Sequence, residues 1–485
     1  MAGMRKFFSV AFVLSLILSP ASCSVNPVSG QHELMLLSEK DELALGRQTD
    51  SQITHEYGIY KDKRLNRRVQ EMGSRLGRIS HRPDLSYQVQ ILDAPVVNAF
   101  AVPGGYIYLT RGIMAYLNSE AELAAIMGHE IGHVTARHSG QQYTRAQLAQ
   151  VGMGIGMIFS DAFSSLSSLV QMGVGMLFLS YSRDNELQAD SLAVEYCAKA
   201  GYEPGEMAGF FQTLERLNPS SDRTGLPSWF STHPSPEDRI GRVRSLSKEW
   251  VQKLNGANAR VGRDEYLKQI DGLIYGEDPK QGYVKDHVFY HPELRFQFPI
   301  PEGWNHNNTP SQVQIGSKNG EAAVVLTIVR AATPKKAAQD FIAKSRPLVH
   351  SSQPLQVNGL DAHRLITEVQ ASKGRLAVVS YFIELERKVF VFHGLSERRV
   401  FQEIGPLMEE TMRGFKKIKD RKRIDVEPDR LRIRTVKSGG TMEDAVLSMG
   451  FSRDDAKEFA LLNGRNPEDR VKAGTLIKVV EKGRS

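Results

Sequence analysis

Cysteine is nearly absent from this chain, which has two in 485 residues, Cys23 and Cys197. No disulfide framework supports the fold, and a cysteine-based zinc site cannot be assembled. Long apolar runs are missing as well. Phe7–Leu18 has the length of a signal-peptide core and is too short to span a bilayer comfortably; Val151–Phe159 and Leu169–Leu179 are shorter still. There is no heavy excess of one charge. The formal +7 falls to +5 once the two basic residues of segment 1–22 are set aside. That balance suits work near anionic envelope surfaces and gives no indication of nucleic-acid binding. The densest basic run, Lys416–Arg423, reads as a solvated linker. The length exceeds what one core usually organises, so several domains are expected.

What is present is one H-E-x-x-H, His129-Glu130-Ile131-Gly132-His133. With 13 His in the chain, chance would supply roughly 0.02 such matches, so coincidence is a poor explanation. Two imidazoles four residues apart share one helical face and can grip a zinc ion from one side. The glutamate between them is placed to take a proton from the attacking water. The helix itself is well signalled. Ser119 and Glu122 form an S-x-x-E capping box, Leu123–Met127 are helix formers, and Ser139-Gly140 offers a stop. Gly128 and Gly132 weaken helical propensity and call for close approach of another element. His138 lies about half a turn off the line of the two ligand candidates and reads as a solvated C-terminal histidine.

A catalytic zinc needs a third protein ligand and an open position. Glu186 and Asp190, four apart on a second predicted helix, supply two carboxylates. One can ligate while the other orients a ligand histidine through its free ring N–H. Acidic pairs at this spacing are common on solvated faces, so the upstream motif gives the pair its weight.

Together, His129–His133, the S-R-x-N-E-x-x-A-D stretch at 182–190 and Thr232-His233-Pro234 resemble the HtpX-like and CAAX prenyl protease-like zinc metallopeptidases, in particular the secreted, BepA-like branch. The likeness runs over roughly residues 32–250. It implies a mainly α, zincin-like (gluzincin) domain with a small sheet and one Zn²⁺ per chain. The implied ligands are His129, His133 and Glu186, with Glu130 as base and Asp190 as the orienting carboxylate. It also places His233 near the metal, either stabilising the oxyanion or closing the open position. The strand Asn98-Ala99-Phe100-Ala101, read as the first half of a strand, P-G-G turn, strand unit, would border the cleft and pair with extended substrate. The implied activity is endopeptidase cleavage of misfolded or stalled envelope and outer-membrane proteins in the periplasm, in contact with outer-membrane assembly machinery.

At the N-terminus, Arg5 and Lys6 precede the apolar run, and Ser19-Pro20-Ala21-Ser22-Cys23 resembles a lipoprotein cleavage site. Residues 1–22 are then a signal peptide, Cys23 the lipidated residue, and 23–31 a flexible tether to the outer membrane, for which Ser24 after the cysteine also speaks. Ordinary secretion is the plain alternative. Residues 32–255 form the peptidase domain. Within it the Gly/Met/Ser-rich segment Val151–Tyr181 reads as a helical hairpin over the cleft or as a structural one. Residues 256–285 read as a linker. Residues 286–420 alternate β-rich runs with the helix-like Pro334–Ser345 and Val400–Phe415, an α+β domain with a mostly antiparallel sheet. His287, His291, His363 and His393 there lack ligand spacing. Residues 428–485 resemble a small LysM-like βααβ domain, which implies peptidoglycan as a partner, although Gly440 replaces the usual acidic residue of the opening motif. Two rival functions remain at this level: a peptidoglycan-directed metallohydrolase, and a chaperone or assembly factor with a vestigial metal site.

Overall fold

The computed structural model describes residues 23–152, 180–217, 228–233, 238–254, 259–371 and 374–484. The signal segment and most of the Val151–Tyr181 stretch lie outside them. Among the described residues no helix is long and apolar enough to cross a membrane.

Helices α1 (Glu39–Tyr57) and α2 (Lys63–Arg78) open the first half, each started by a side-chain cap, Ser38 and Asp62. A three-stranded sheet follows, made of β1 (Gln88–Leu92), β2 (Ala99–Val102) and β3 (Tyr106–Thr110). Its order is β1-β3-β2, with β1 parallel and β2 antiparallel to β3. The P-G-G turn between β2 and β3 places Gly104 and Gly105 at φ +85° and +90°, a region that a side chain would strain.

Helix α3 (Glu120–Thr135) carries the H-E-x-x-H, and every one of its residues is buried. A helix buried around its whole circumference sits at the centre of a core, and here its polar residues must find partners inside that core. Its free N-terminal N–H groups all find acceptors. The Glu122 N–H donates to Ser119 Oγ (3.0 Å), and those of Glu120 and Ala121 donate to the carbonyls of Gly262 and Val261. The Glu122 carboxylate reaches back to the N–H of Asn118 (2.6 Å), one residue beyond the reciprocal bond of an ideal capping box. The helix ends at Thr135, short of the expected Ser139-Gly140 stop, because Arg137 at φ +56° turns the chain into α4 (His138–Gly152). The close neighbour demanded by the two glycines is α5 (Arg183–Lys199). A Cβ on Gly128 would lie 3.2 Å from Ala193 Cα, and one on Gly132 would lie 3.2 Å from Ala189 Cα. Helices α6 (Glu206–Arg216) and α7 (Arg239–Lys253) complete the bundle around α3 and α5.

Segment 256–285 does more than link. Its helix α8 (Arg263–Ile270) buries Tyr266, Leu267 and Ile270 in the same core as α3, and residues 261–262 cap that helix. Residues 23–34 likewise are not a bare tether: Cys23–Val25 pairs antiparallel with His32–Leu34, and buried Asn26 donates to Glu33 (2.8 Å).

The next part holds a seven-stranded antiparallel sheet. Its strands are β4 (Asn305–Asn308), β5 (Gln312–Gly316), β6 (Ala322–Val329), β7 (Leu348–Val357), β8 (Leu360–Ala371), β9 (Gly374–Leu385) and β10 (Lys388–Glu397), in the order β7-β8-β9-β10-β6-β5-β4. Helices α9 (Pro334–Ser345) and α10 (Phe401–Arg413) pack on it. Part of the basic run belongs to a second, four-stranded sheet, since Lys416 and Lys417 pair with Gln297 and Phe296.

The C-terminal segment runs β11 (Arg430–Thr435), α11 (Met442–Ser448), α12 (Arg453–Leu462) and β12 (Leu476–Glu481), with β11 and β12 paired antiparallel. Its apolar residues Leu431, Val446, Phe459 and Ile477 belong to the core that surrounds α3. Lys478 is fully buried and donates to the carbonyls of Ala115 (2.7 Å) and Leu117 (2.8 Å), immediately before α3.

Candidate metal centre

Helix geometry brings His129 and His133 onto one face of α3, and the α3–α5 packing through small residues carries Glu186 and Asp190 to them. His233 arrives from the end of the short helix Trp229–Thr232. That helix is tied down by main-chain bonds from Trp229 N to the Val97 carbonyl (3.1 Å) and from Tyr181 N to the Thr232 carbonyl (3.0 Å). All five side chains are buried.

One donor atom each from His129, His133, Glu186 and His233 lies within 4.8 Å of the others. His129 Nε2 is 3.0 Å from His133 Nε2 and 3.4 Å from His233 Nδ1. The Glu186 oxygens stand 3.6 Å from His129 Nε2, 3.4 Å from His133 Nε2 and 3.0 Å from His233 Nδ1. Zinc bonds of about 2.0–2.1 Å require tetrahedral edges of about 3.3–3.4 Å, so these separations suit a four-coordinate zinc. The donor set is three imidazoles and a carboxylate, the chemistry zinc favours. Both oxygens of Glu130 and Nε2 of His233 are buried without a hydrogen-bond partner. Buried polar groups are seldom left so, and these lie together, with His233 Nε2 3.7 Å from Glu130 Oε1. The residues fit the ion.

The charges around the site explain one another. Burial pushes the Glu130 carboxyl up from its ordinary range. Burial also opposes ionisation of Glu186, but His233, His133 and His129 outweigh it and hold that carboxyl well below the usual value. Burial keeps His133 neutral, far below its ordinary pKa. For His233 burial is overcome by the carboxylates of Glu186 and Glu130, and its pKa is raised.

Behind His129, Asp190 Oδ1 accepts the Nδ1–H at 2.9 Å, which leaves Nε2 free for a metal. Asp190 is itself gripped by Arg239, through Nε to Oδ2 (2.6 Å) and Nη2 to Oδ1 (2.8 Å). Arg239 also lies 3.3 Å from Glu186 and over the ring of Phe211. Burial works against the Asp190 carboxylate, and Arg239 more than compensates, so its pKa is lowered. Arg239 escaped the sequence reading, as did two aromatic walls. Tyr181 stacks on His133 at 3.8 Å and Trp229 on His233 at 4.2 Å between ring centroids. The only hint of Arg239 was its place six residues beyond His233.

His138 is corrected: it is fully buried, with Nδ1 2.9 Å from His133 Nδ1, instead of solvated. Of the expected substrate strand, Ala99, Phe100 and Ala101 fall in β2, an edge of the small sheet, with Asn98 just before it. Their side chains are buried, so the strand offers main chain and not side-chain pockets. The Asn98 N–H donates to Thr110 Oγ1 (3.1 Å). Cys197 is a buried thiol in α5, its pKa pushed up by burial, and a plain core residue.

Residues 63–247 match the model of peptidase family M48. The beta-barrel assembly-enhancing protease of Yersinia pestis is 27% identical over 222 residues, 44% of this chain and 45% of that protein. Its counterpart in Escherichia coli (strain K12) is 26% identical over 237 residues, 47% and 48% respectively. The mitochondrial metalloendopeptidase OMA1 of Arabidopsis thaliana is 28% identical over 193 residues, 39% of this chain and 38% of that protein. The chain thus spans about half, or less, of the length of these curated relatives.

Proposed function

We propose that this chain, whose residues 63–247 match the model of peptidase family M48, is a zinc-dependent endopeptidase acting on envelope proteins. The observation that carries this reading is the buried cluster of four zinc-compatible donors beside an unpartnered Glu130. A structural site has no use for such a carboxylate, which also weighs against a vestigial centre.

His129, His133 and Glu186 would hold the ion, which supplies polarisation of the scissile carbonyl and a nucleophilic water at neutral pH. Glu130, made more basic by burial, takes the proton of the attacking water and returns it to the leaving amine. Asp190, fixed by Arg239, keeps the His129 lone pair aimed at the ion. His233, whose Nδ1 lies with the other three donors, would act as a closing ligand when the ion is bound, and substrate would then have to displace it. Displaced from the ion, its ring could instead donate to the developing oxyanion. The edge of β2 accepts an extended substrate by main-chain pairing, which fits a protease that meets clients of varied sequence.

The wider setting rests on the relatives' names and on the sequence. A cleaved signal of 22 residues, lipidation of Cys23 and attachment to the outer membrane would place the enzyme in the periplasm. Its clients there would be misfolded or stalled outer-membrane proteins, met beside the machinery that assembles them. For residues 428–485 the reading is a LysM-derived module kept for its fold, with peptidoglycan binding secondary. The test is zinc content and casein cleavage by the purified chain, with and without chelator. Stoichiometric zinc and chelator-sensitive cleavage are expected; a metal-free protein, or cleavage indifferent to chelator, would overturn the proposal.

A further inference from the structure

The two ligand histidines of α3 are supported differently. His129 has an anionic partner, Asp190. His133 has a neutral one: its Nδ1 faces His138 Nδ1 at 2.9 Å, and His138 Nε2 faces Gln188 Oε1 at 2.9 Å. His138 is fully buried, and Gln188 sits on α5 between Glu186 and Asp190. We propose that His138 and Gln188 are positioning residues, a neutral relay that fixes the tautomer of His133 and so presents its Nε2 lone pair to the metal. The inference rests on the zinc reading above and extends it to two residues outside the ligand set.

Hydrogen-bond direction is decided at each link. His133 Nε2 points at His129 Nε2 and Glu186 (3.0 and 3.4 Å), so it must be unprotonated to ligate. The proton then resides on His133 Nδ1, which makes His138 Nδ1 the acceptor. A neutral His138 accepting at Nδ1 carries its proton on Nε2, and among the described residues its partner there is an amide oxygen, which accepts. With the Gln188 amide reversed, its NH₂ would face a nitrogen obliged to accept. His138 Nδ1–H would then point at His133 Nδ1, and the ring proton of His133 would be forced onto the ligating nitrogen. Only one orientation of the chain Gln188–His138–His133 permits metal binding. The polypeptide supplies that arrangement by breaking α3 at Arg137, which swings His138 off the helical line and back behind His133.

The relay is tested by zinc affinity of the full chain, measured by competition with a chromophoric chelator, together with the d–d spectrum of the cobalt-substituted protein. His138→Phe fills the space and removes the acceptor; it should weaken zinc binding about 10–100-fold, the usual cost of losing a partner that orients a ligand. His138→Asn keeps an oxygen near the Nδ1 position and should stay within a few-fold of wild type, with an unchanged cobalt spectrum. Gln188→Met, which leaves His138 in place, should give a smaller loss in the same direction. Equal losses in His138→Phe and His138→Asn would mean that packing matters and the acceptor does not, and would overturn the relay. So would undiminished affinity in both His138→Phe and Gln188→Met. Should His138→Phe fail to fold, the comparison of His138→Asn with Gln188→Met decides: zinc binding at wild-type strength by Gln188→Met overturns the relay. A wild-type chain that binds no zinc would instead overturn the metal reading beneath it.

Discussion

Lys478 offers a sharp test of whether the C-terminal segment is part of the enzyme's fold or an appended module. Its ammonium group is fully buried and donates to the carbonyls of Ala115 and Leu117, the residues that lead into the metal helix. Burial holds the Lys478 pKa well below its ordinary range even though the Glu122 carboxylate works to raise it, and burial pushes the Glu122 carboxyl up to about 8. Lys478→Met preserves the stem and removes the donor. Two buried carbonyls then lose their partner at about 1–3 kcal/mol each, so about 2–6 kcal/mol is lost whatever the charge state of the pair. At roughly 2–4 °C per kcal/mol for a fold of this size, a central loss of about 4 kcal/mol lowers Tm by roughly 8–16 °C. The assay is calorimetry of the purified chain. Because the core of residues 431–480 is continuous with that around α3, the shift should appear in the transition that also abolishes metal binding. A shift below about 2 °C, or a separate C-terminal transition that moves alone, would refute the reasoning.

The proposed ligand set predicts a graded response. Glu186→Ala should lower zinc stoichiometry under dilute metal, while Asp190→Ala should keep the ligand set and weaken affinity about 10–100-fold; wild-type stoichiometry in Glu186→Ala would place the third ligand elsewhere. His233→Ala should raise basal casein hydrolysis at equal zinc occupancy if His233 closes the site, whereas a fall of about 10²–10³ in kcat would assign it to the oxyanion. In the α+β part, burial lowers His291 and His393 to about 4. Folded pKa values below the unfolded value of about 6.5 give stability that is complete above pH 6.5 and lost as pH falls through about 4. The loss is on the order of 3 kcal/mol per histidine. Urea unfolding at pH 7 and 4.5 measures it, and replacing both with asparagine should flatten the slope.

How much could be read from the chain follows from where each signal resides. The pairing of His129 and His133 was legible because helical spacing alone puts residues i and i+4 on one face. The glycines at 128 and 132 foretold the close helix that delivers Glu186. β6 and α9 were legible to the residue, since a β-branched apolar run and a Thr-Pro start mark them. His138 was misplaced because the positive φ of Arg137, which turns the chain there, has no signature in the amino-acid type. β7 was missed for a different reason. It is an edge strand exposed on both faces, with Pro354 in it, so no burial pattern is imposed on its residues. The caps that residues 261–262 give to α3, and the anchorage of Lys478, are long-range main-chain contacts with no residue-type signature.

The central claim is that Glu130 performs proton transfer at a zinc centre built by α3 and α5. Glu130→Gln tests it most directly, because the amide is nearly isosteric and cannot accept the proton of the attacking water. Zinc content and casein cleavage should be measured on the same preparation. The account predicts full zinc occupancy, an unchanged Tm and loss of nearly all hydrolysis. Substantial cleavage by a zinc-loaded Glu130→Gln protein would contradict it.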